Sequence, residues 1–197
     1  MMVNRNHTIT GFLMLLVLLV SSCAAPPARV EPGALKKRPQ PKIVTAALEK
    51  QIHSLINKER RKQGLSLLEW DDALSGIAQK HSRDMAARNY FDHYSPEGRD
   101  FSYRYQQGGY QCVVRTGGTV YMGAENIALN YLYDSVTTVN GRAYYDWNTQ
   151  DKIAETTVRG WMKSRGHRKN ILTPYFKHEG IGVIIAPDDR VYITQNF

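Results

Sequence analysis

"GIGVIIAPDDRVYITQNF", residues 180–197, is the stretch whose reading decides the fold. Two apolar, β-forming runs, 180–186 and 191–197, flank the turn residues Pro187, Asp188 and Asp189, so they read as paired strands. Earlier in the chain the pattern is helical. Val44, Leu48, Ile52, Leu55 and Ile56 recur at helical spacing through 43–63, and Gly64 stops the run. A second helix starts at Asp71 or Asp72, both good capping residues, and runs to about Asn89. Its apolar stripe is Leu74, Ile77, Ala78, His81 and Met85, on which His81 reads as a satisfied core histidine. A shorter helix is expected over 100–107 and another over 151–164. "TTVNGRAYY", 137–145, puts β-formers around Asn140-Gly141, the signal of a type I′ hairpin. Helices come first and strands cluster late, which predicts an α+β fold with an antiparallel sheet covered by helices.

A chain of 197 residues, 42% hydrophobic and 22% charged, is globular and long enough for one ordinary domain. Its net charge of +8 is unevenly placed: residues 1–42 hold six Lys/Arg against one Glu, and 43–197 hold twenty Lys/Arg against seventeen Asp/Glu. The folded part is nearly balanced and shows no basic stripe with interleaved aromatics, which argues against nucleic-acid binding.

The start of the chain points to the cell envelope. "GFLMLLVLLV", 11–20, is a signal-peptide core, too short to span a bilayer as a stable helix. It ends in "VSSC", 20–23, which resembles a bacterial lipobox. On that reading residues 1–22 are a lipoprotein signal peptide and Cys23 is the lipidated residue that anchors the mature protein to a membrane. The alternative is an ordinary signal peptide cut near Ala24-Ala25. Ala24 after Cys23 resembles outer-membrane lipoproteins, which would place the domain on the periplasmic side in a Gram-negative cell. Residues 23–42 form a tether, with five prolines and five basic residues in 24–42, leading to a domain over 43–197. With Cys23 carrying lipid, Cys112 has no partner and is expected to be a half-buried small apolar residue, so the core, not a disulfide framework, must supply stability.

Three polar spots stand at the ends of elements: His93 in "YFDHYSPEG", 90–98; Glu125 in "GAENIA", 123–128; and His167 in "WMKSRGHRKNIL", 161–172. Two imidazoles and a carboxylate are ligands that zinc and similar ions accept, with a position left open. The same trio can hold a polar ligand without metal, and no HExxH or other tight metal spacing is present. Ser164 adds a nucleophile's hydroxyl to the base and orienter that His167 and Glu125 could supply, although nothing marks an oxyanion hole. Arg168 and Asn170 are expected to serve the fold, pairing with an acid and capping the turn, with Ile171 and Leu172 buried.

Four motifs, "HSRDMAARNYFDHYSPEG", "GAENIA", "WMKSRGHRKNIL" and "GIGV…YITQNF", occur in an order that resembles the CAP superfamily. This is the SCP-domain group of cysteine-rich secretory, antigen 5 and plant pathogenesis-related proteins. The resemblance covers about residues 48–197 and is nearest to the bacterial, disulfide-free branch. It implies a CAP-type α-β-α sandwich, a central antiparallel sheet between helical layers, with an open cleft lined by two His and two Glu. His93, Glu125 and His167 match three of these positions. Ser164 stands where the second glutamate would fall, which removes a negative charge and should weaken any divalent metal, such as zinc, held by His93 and His167. Such binding needs neutral imidazoles and should fade below about pH 6.5. Ala124, in place of glycine, precedes Glu125. A hairpin insertion over about 130–148 brings Tyr131, Tyr133, Tyr144, Tyr145 and Trp147, rings that can stack on sugars or pack the hairpin onto the domain. The resemblance favours a non-catalytic binding domain for a small hydrophobic ligand such as a lipid or sterol, a cell-wall glycan or an envelope partner, through the cleft of His93, Glu125, Ser164 and His167. The alternative is a metal-dependent or serine-type hydrolase acting on envelope material.

Overall fold

The computed structural model describes residues 39–197; the expected signal peptide, Cys23 and all but the end of the tether lie outside the described residues. The elements are α1 (Thr45–Lys62), β1 (Glu69–Trp70), α2 (Asp72–Arg88), α3 (Phe101–Gln107), β2 (Val114–Thr116), β3 (Thr119–Tyr121), β4 (Glu125–Tyr131), β5 (Tyr133–Val139), β6 (Arg142–Trp147), α4 (Gln150–Lys163), α5 (Arg165–Ile171), β7 (His178–Ile185) and β8 (Arg190–Asn196). Four strands make the main sheet in the order β1-β7-β8-β4, while β2-β3 and β5-β6 form separate two-stranded sheets. The pairings β7-β8 and β8-β4 are antiparallel; the two-residue β1 adds a parallel edge that the sequence did not suggest.

The terminal hairpin turns as its residues require. Ala186 N–H donates to Arg190 O at 2.8 Å, and Asp189 takes the left-handed conformation, φ 65°, that closes a three-residue loop. The strands then divide their side chains between two helical layers. Ile181, Val183, Val191 and Ile193 join Leu48, Ile52 and Ile56 of α1, Ile153, Val158 and Trp161 of α4, and Ile171 of α5 in the main core. The other face carries Gly180 and Gly182, and there α2 lies on bare backbone. A Cβ at Gly180 would stand 2.0 Å from Ser75 N, and one at Gly182 would stand 2.1 Å from Gln79 N. This approach lets Ser75 Oγ donate to Ile181 O and Ser82 Oγ to Gly182 O, both at 2.9 Å. Helices cover both faces, and the α-β-α sandwich is formed.

Both ends of α2 follow the sequence. The Asp71 side chain accepts from Leu74 N–H at the start, and Asn89, φ 55°, ends the helix in the left-handed region. Beyond the short β1, the outer edge of β7 is satisfied from α1: the buried Glu49 carboxylate accepts from Val183 N–H at 2.9 Å. Burial pushes the Glu49 carboxyl up from its usual range, against the pull of that hydrogen bond. Arg60, fully buried, donates to Ile171 O at 2.6 Å and Thr173 O at 2.9 Å and so terminates α5.

Other elements also differ from the sequence reading. "GAENIA" opens a seven-residue strand, β4, that the sequence reading did not assign, with Glu125 at its first position. The β2-β3 hairpin around Gly117-Gly118 was not expected, and "RGHRKNI" is helical. The Asn-Gly hairpin is as predicted, with Asn140 at φ 49° and Gly141 at φ 74°. Its aromatics pack largely on one another: Tyr145 and Trp147 stack at 4.7 Å, and Tyr133 meets both edge-on. Trp147 also rests on the main core, while Tyr131 and Tyr145 stay exposed. Cys112 is free and half-buried, and burial raises its thiol pKa. Among the described residues no helix is long and apolar enough to cross a membrane.

The seat of α2 is testable with two glycines. Gly182→Ala drives a methyl into the α2 backbone and should cost roughly 3 kcal/mol. Gly76→Ala, on the same helix with nothing within 4 Å of its Cβ, should add about 0.5–1 kcal/mol by helix propensity. Urea unfolding of the two variants measures this; equal midpoints would show that α2 is not seated on the strand.

Candidate functional site

Glu125 is the first residue of β4, and its place is set by the glycine two positions before it. Gly123 has φ 95°, and a Cβ there would lie 2.5 Å from the Tyr105 ring and 2.9 Å from Phe197 O. The bare backbone lets the Tyr105 hydroxyl reach Ala124 O at 3.1 Å and Phe197 O at 2.9 Å. Burial, with the Glu125 charge adding to it, raises the Tyr105 pKa well above its ordinary value, so this clamp stays protonated.

The Glu125 side chain is 1% exposed, so its charge must be met inside the protein. Oε1 accepts from His93 Nδ1 at 2.9 Å, and Oε2 accepts from Arg104 Nη2 at 2.7 Å. Arg104 of α3 also donates to His93 O at 2.9 Å and Arg99 O at 3.0 Å, which holds the 90–98 loop in place. Because a carboxylate only accepts, His93 donates through Nδ1, and its Nε2 is the ring nitrogen not used by Glu125. Beneath them, His81 of α2 is 2% exposed; its Nε2 is 3.1 Å from Asp92 O and 3.8 Å from Glu125 Oε1. The carbonyl fixes its proton on Nε2. Burial lowers the His81 pKa, with the nearby Glu125 pulling the other way.

His167 comes from α5. Its ring centre lies 6.4 Å from that of His93, tilted by 52°. Burial, then the neighbouring His93, lowers its pKa. Helix α5 is tied to β4 by Asn170 Nδ2, which donates to Glu125 O at 3.2 Å and Asn126 Oδ1 at 2.9 Å, and by Asn126 Nδ2, which donates to His167 O at 3.3 Å. Beside the site, α2, α3 and the 95–99 loop enclose a recess of about 540 Å³ that shares His81 and Arg104 as walls.

The structure therefore brings His93, Glu125 and His167 together. Ser164 stands apart in role: it is the half-buried joint between α4 and α5, its hydroxyl caps neither helix, and among the described residues no hydrogen bond joins it to His167. Among the described residues Arg168 pairs with no acid but donates to Met162 O at 3.3 Å, and Asn170 stitches α5 to β4 instead of capping a turn. The sequence reading missed Arg104 and the closeness of His81 to Glu125. The partner of Arg104 lies 21 positions away, and no local pattern signals it. His81 gave one signal, a titratable residue on an apolar stripe.

The cysteine-rich secretory protein (CAP) family model matches residues 53–197. The chain belongs to the CAP family. This CAP domain is 36% identical over 168 residues to the membrane protein YlbC of Bacillus subtilis, a match covering 85% of the chain and 39% of that protein. It is 34% identical over 139 residues to YkwD of the same organism, covering 71% of the chain and 43% of that protein. The chain thus spans about two fifths of the length of each. An extracellular SCP-domain protein of Bacillus anthracis superposes with a TM-score of 0.55 at 29% identity, over 86% of this chain and 44% of the other. An outer surface protein of Borrelia burgdorferi shares the fold, TM-score 0.56 at 17% identity, over 80% of this chain and 96% of its own.

Two measurements probe this arrangement. Glu125→Gln leaves Arg104 without its counter-charge and should cost about 3 kcal/mol, and Arg104→Gln a similar amount, while the double variant loses clearly less than the sum. Additive losses in a urea double-mutant cycle would mean the pair does not interact. Stability should also depend on His81: its folded pKa lies below that of the unfolded chain, so stability is full above about pH 6.5 and falls as pH drops below it. The unfolding midpoint between pH 8 and 5 reads this slope, which His81→Gln should flatten; an unchanged slope would assign it elsewhere.

Proposed function

We propose that this CAP domain is a non-catalytic binding module of the cell envelope that takes its ligand at the His93–His167 edge of the cleft. The observation that carries this reading is the full commitment of Glu125. Both carboxylate oxygens are engaged by Arg104 and His93, so Glu125 orients an imidazole instead of standing ready as a base. What the cleft offers outward is two half-buried imidazoles side by side, suited to gripping a hydroxyl, carbonyl or acid group on a lipid, glycan or envelope partner. A serine mechanism gains nothing from the placement of Ser164, which lacks the hydrogen bond to His167 that activation would use.

The setting follows from the leader and the relatives. Residues 1–22 would act as a lipoprotein signal and Cys23 as the lipid anchor, with the domain held at the envelope by its tether. Relatives described as a membrane protein and an extracellular protein support an envelope address.

Zinc is a secondary and weak ligand on this reading. His93 and His167 would hold it, but two zinc-bound imidazoles at a tetrahedral angle have ring centres about 5 Å apart, closer than the 6.4 Å seen here. Glu125 is spent on Arg104, and among the described residues no group of three His, Cys, Asp or Glu is placed to hold a metal. The donor set falls short, and no step is assigned to a metal.

Native mass spectrometry of the chain extracted gently from its membrane tests the proposal. Wild type should carry a ligand adduct that His93→Ala/His167→Ala loses while remaining folded. A bare wild type, or an adduct that survives in the folded double variant, would remove the binding role from this pair.

A further inference from the structure

The main-core face of the sheet is apolar at Ile181, Val183 and Ile193, yet a polar row crosses it at one end. Glu179 of β7, Gln195 of β8 and Asn126 of β4 are all fully buried. They are joined hand to hand. Gln195 Nε2 donates to Glu179 Oε2, Asn126 Nδ2 donates to Gln195 Oε1 at 2.9 Å, and Asn170 Nδ2 of α5 donates to Asn126 Oδ1 at 2.9 Å. At the far end, the half-buried His53 of α1 lies against Glu179 Oε1 through Nδ1, with Asn57 on its Nε2 at 3.3 Å and Trp70 packed edge-on against its ring.

We infer that Glu179 is a positioning residue for the cleft, acting through this one-way chain of amides on both of its halves. An amide can turn either end toward a neighbour, but a carboxylate only accepts. Glu179 therefore fixes the direction of Gln195, which fixes Asn126, which fixes Asn170. The chain delivers N–H donors where the cleft backbone presents acceptors: Asn126 Nδ2 to His167 O at 3.3 Å and Asn170 Nδ2 to Glu125 O at 3.2 Å. Run backwards, it would set amide oxygens against those carbonyls and push α5 from β4. A buried polar row costs free energy unless every member is satisfied, and it specifies one arrangement when it is. Here the arrangement it specifies is the distance between His167 and the Glu125–His93 pair. Its importance to function rests on the binding reading above; its geometry does not.

The test uses the full chain and reads positions without any ligand, so a failed search for a ligand and a failed relay are told apart. In wild type, the ring protons of His93 and His167 should show a nuclear Overhauser contact, and the α5 amides should be protected from exchange. Glu179→Leu should abolish the contact and speed α5 exchange at least tenfold, with β7-β8 protection kept. Glu179→Gln should weaken the contact less than Glu179→Leu, because its oxygen still accepts from Gln195 when His53 moves its proton to Nε2 and gives up the bond from Asn57. Should the leucine variant not fold, Asn170→Ala cuts the last link on the partly exposed α5 and should show the same loss. A lowered unfolding temperature with the His93–His167 contact and α5 protection intact, in Glu179→Leu or in Asn170→Ala, would reduce the row to a stabilising element and overturn the inference.

Discussion

Helix α2 rests on the backbone of β7 because Gly180 and Gly182 present nothing to hold it off, and the rest of the molecule is arranged around that contact. Once the helix is seated, Ser75 and Ser82 bond to strand carbonyls, and Met85 packs against Tyr192. His81 is carried to within 3.8 Å of Glu125. The helix then stops at Asn89, whose left-handed backbone turns the chain into the loop that bears His93. A side chain at either glycine would displace the floor of the cleft along with the helix.

Packing alone does not explain the interior, which among the described residues holds three buried glutamates, Glu49, Glu125 and Glu179. Each joins elements that apolar contact would leave free to slide. Glu49 ties α1 to the uncovered edge of β7, Glu125 ties β4 to α3 and the His93 loop, and Glu179 ties β7 to β8 and α1. A buried charge that is fully hydrogen-bonded is costly to replace singly and tolerant of only one geometry. The cleft lies where two of these three ties meet.

Much of this was legible in the residues. Periodicity and caps marked α1, α2 and α4 to within a residue or two at most ends, and the turn chemistry of Asp189 and Asn140-Gly141 marked two hairpins. His93, Glu125 and His167 stood out as polar residues at the ends of elements, and the family resemblance then matched them to cleft positions. Helix α5 escaped because seven residues that include Gly166 and three cations have no propensity to stand alone; it exists by virtue of Arg60 and Asn170. The strand β4 escaped because its inward residues begin with Glu125 and Asn126, polar groups that a half-buried strand ordinarily excludes. Glu179 and Gln195 did leave a trace. They fall on the same alternation as Ile181, Val183 and Ile193, and a polar residue at such a position must have a buried partner. Arg104 left none, since its meaning depends on a carboxylate in another element.

The cap that Arg60 places on α5 has a bearing on how the chain acquires its shape. Ile171 and Thr173, whose carbonyls it holds, lie 111 and 113 positions further along, and a seven-residue helix does not persist in isolation. Contacts of such separation are gained only after the entropy of closing the intervening chain is met. The half of the cleft that bears His167 is therefore complete only once the C-terminal third has docked onto α1, and the same strands that bring it there are the ones on which α1 and α2 pack.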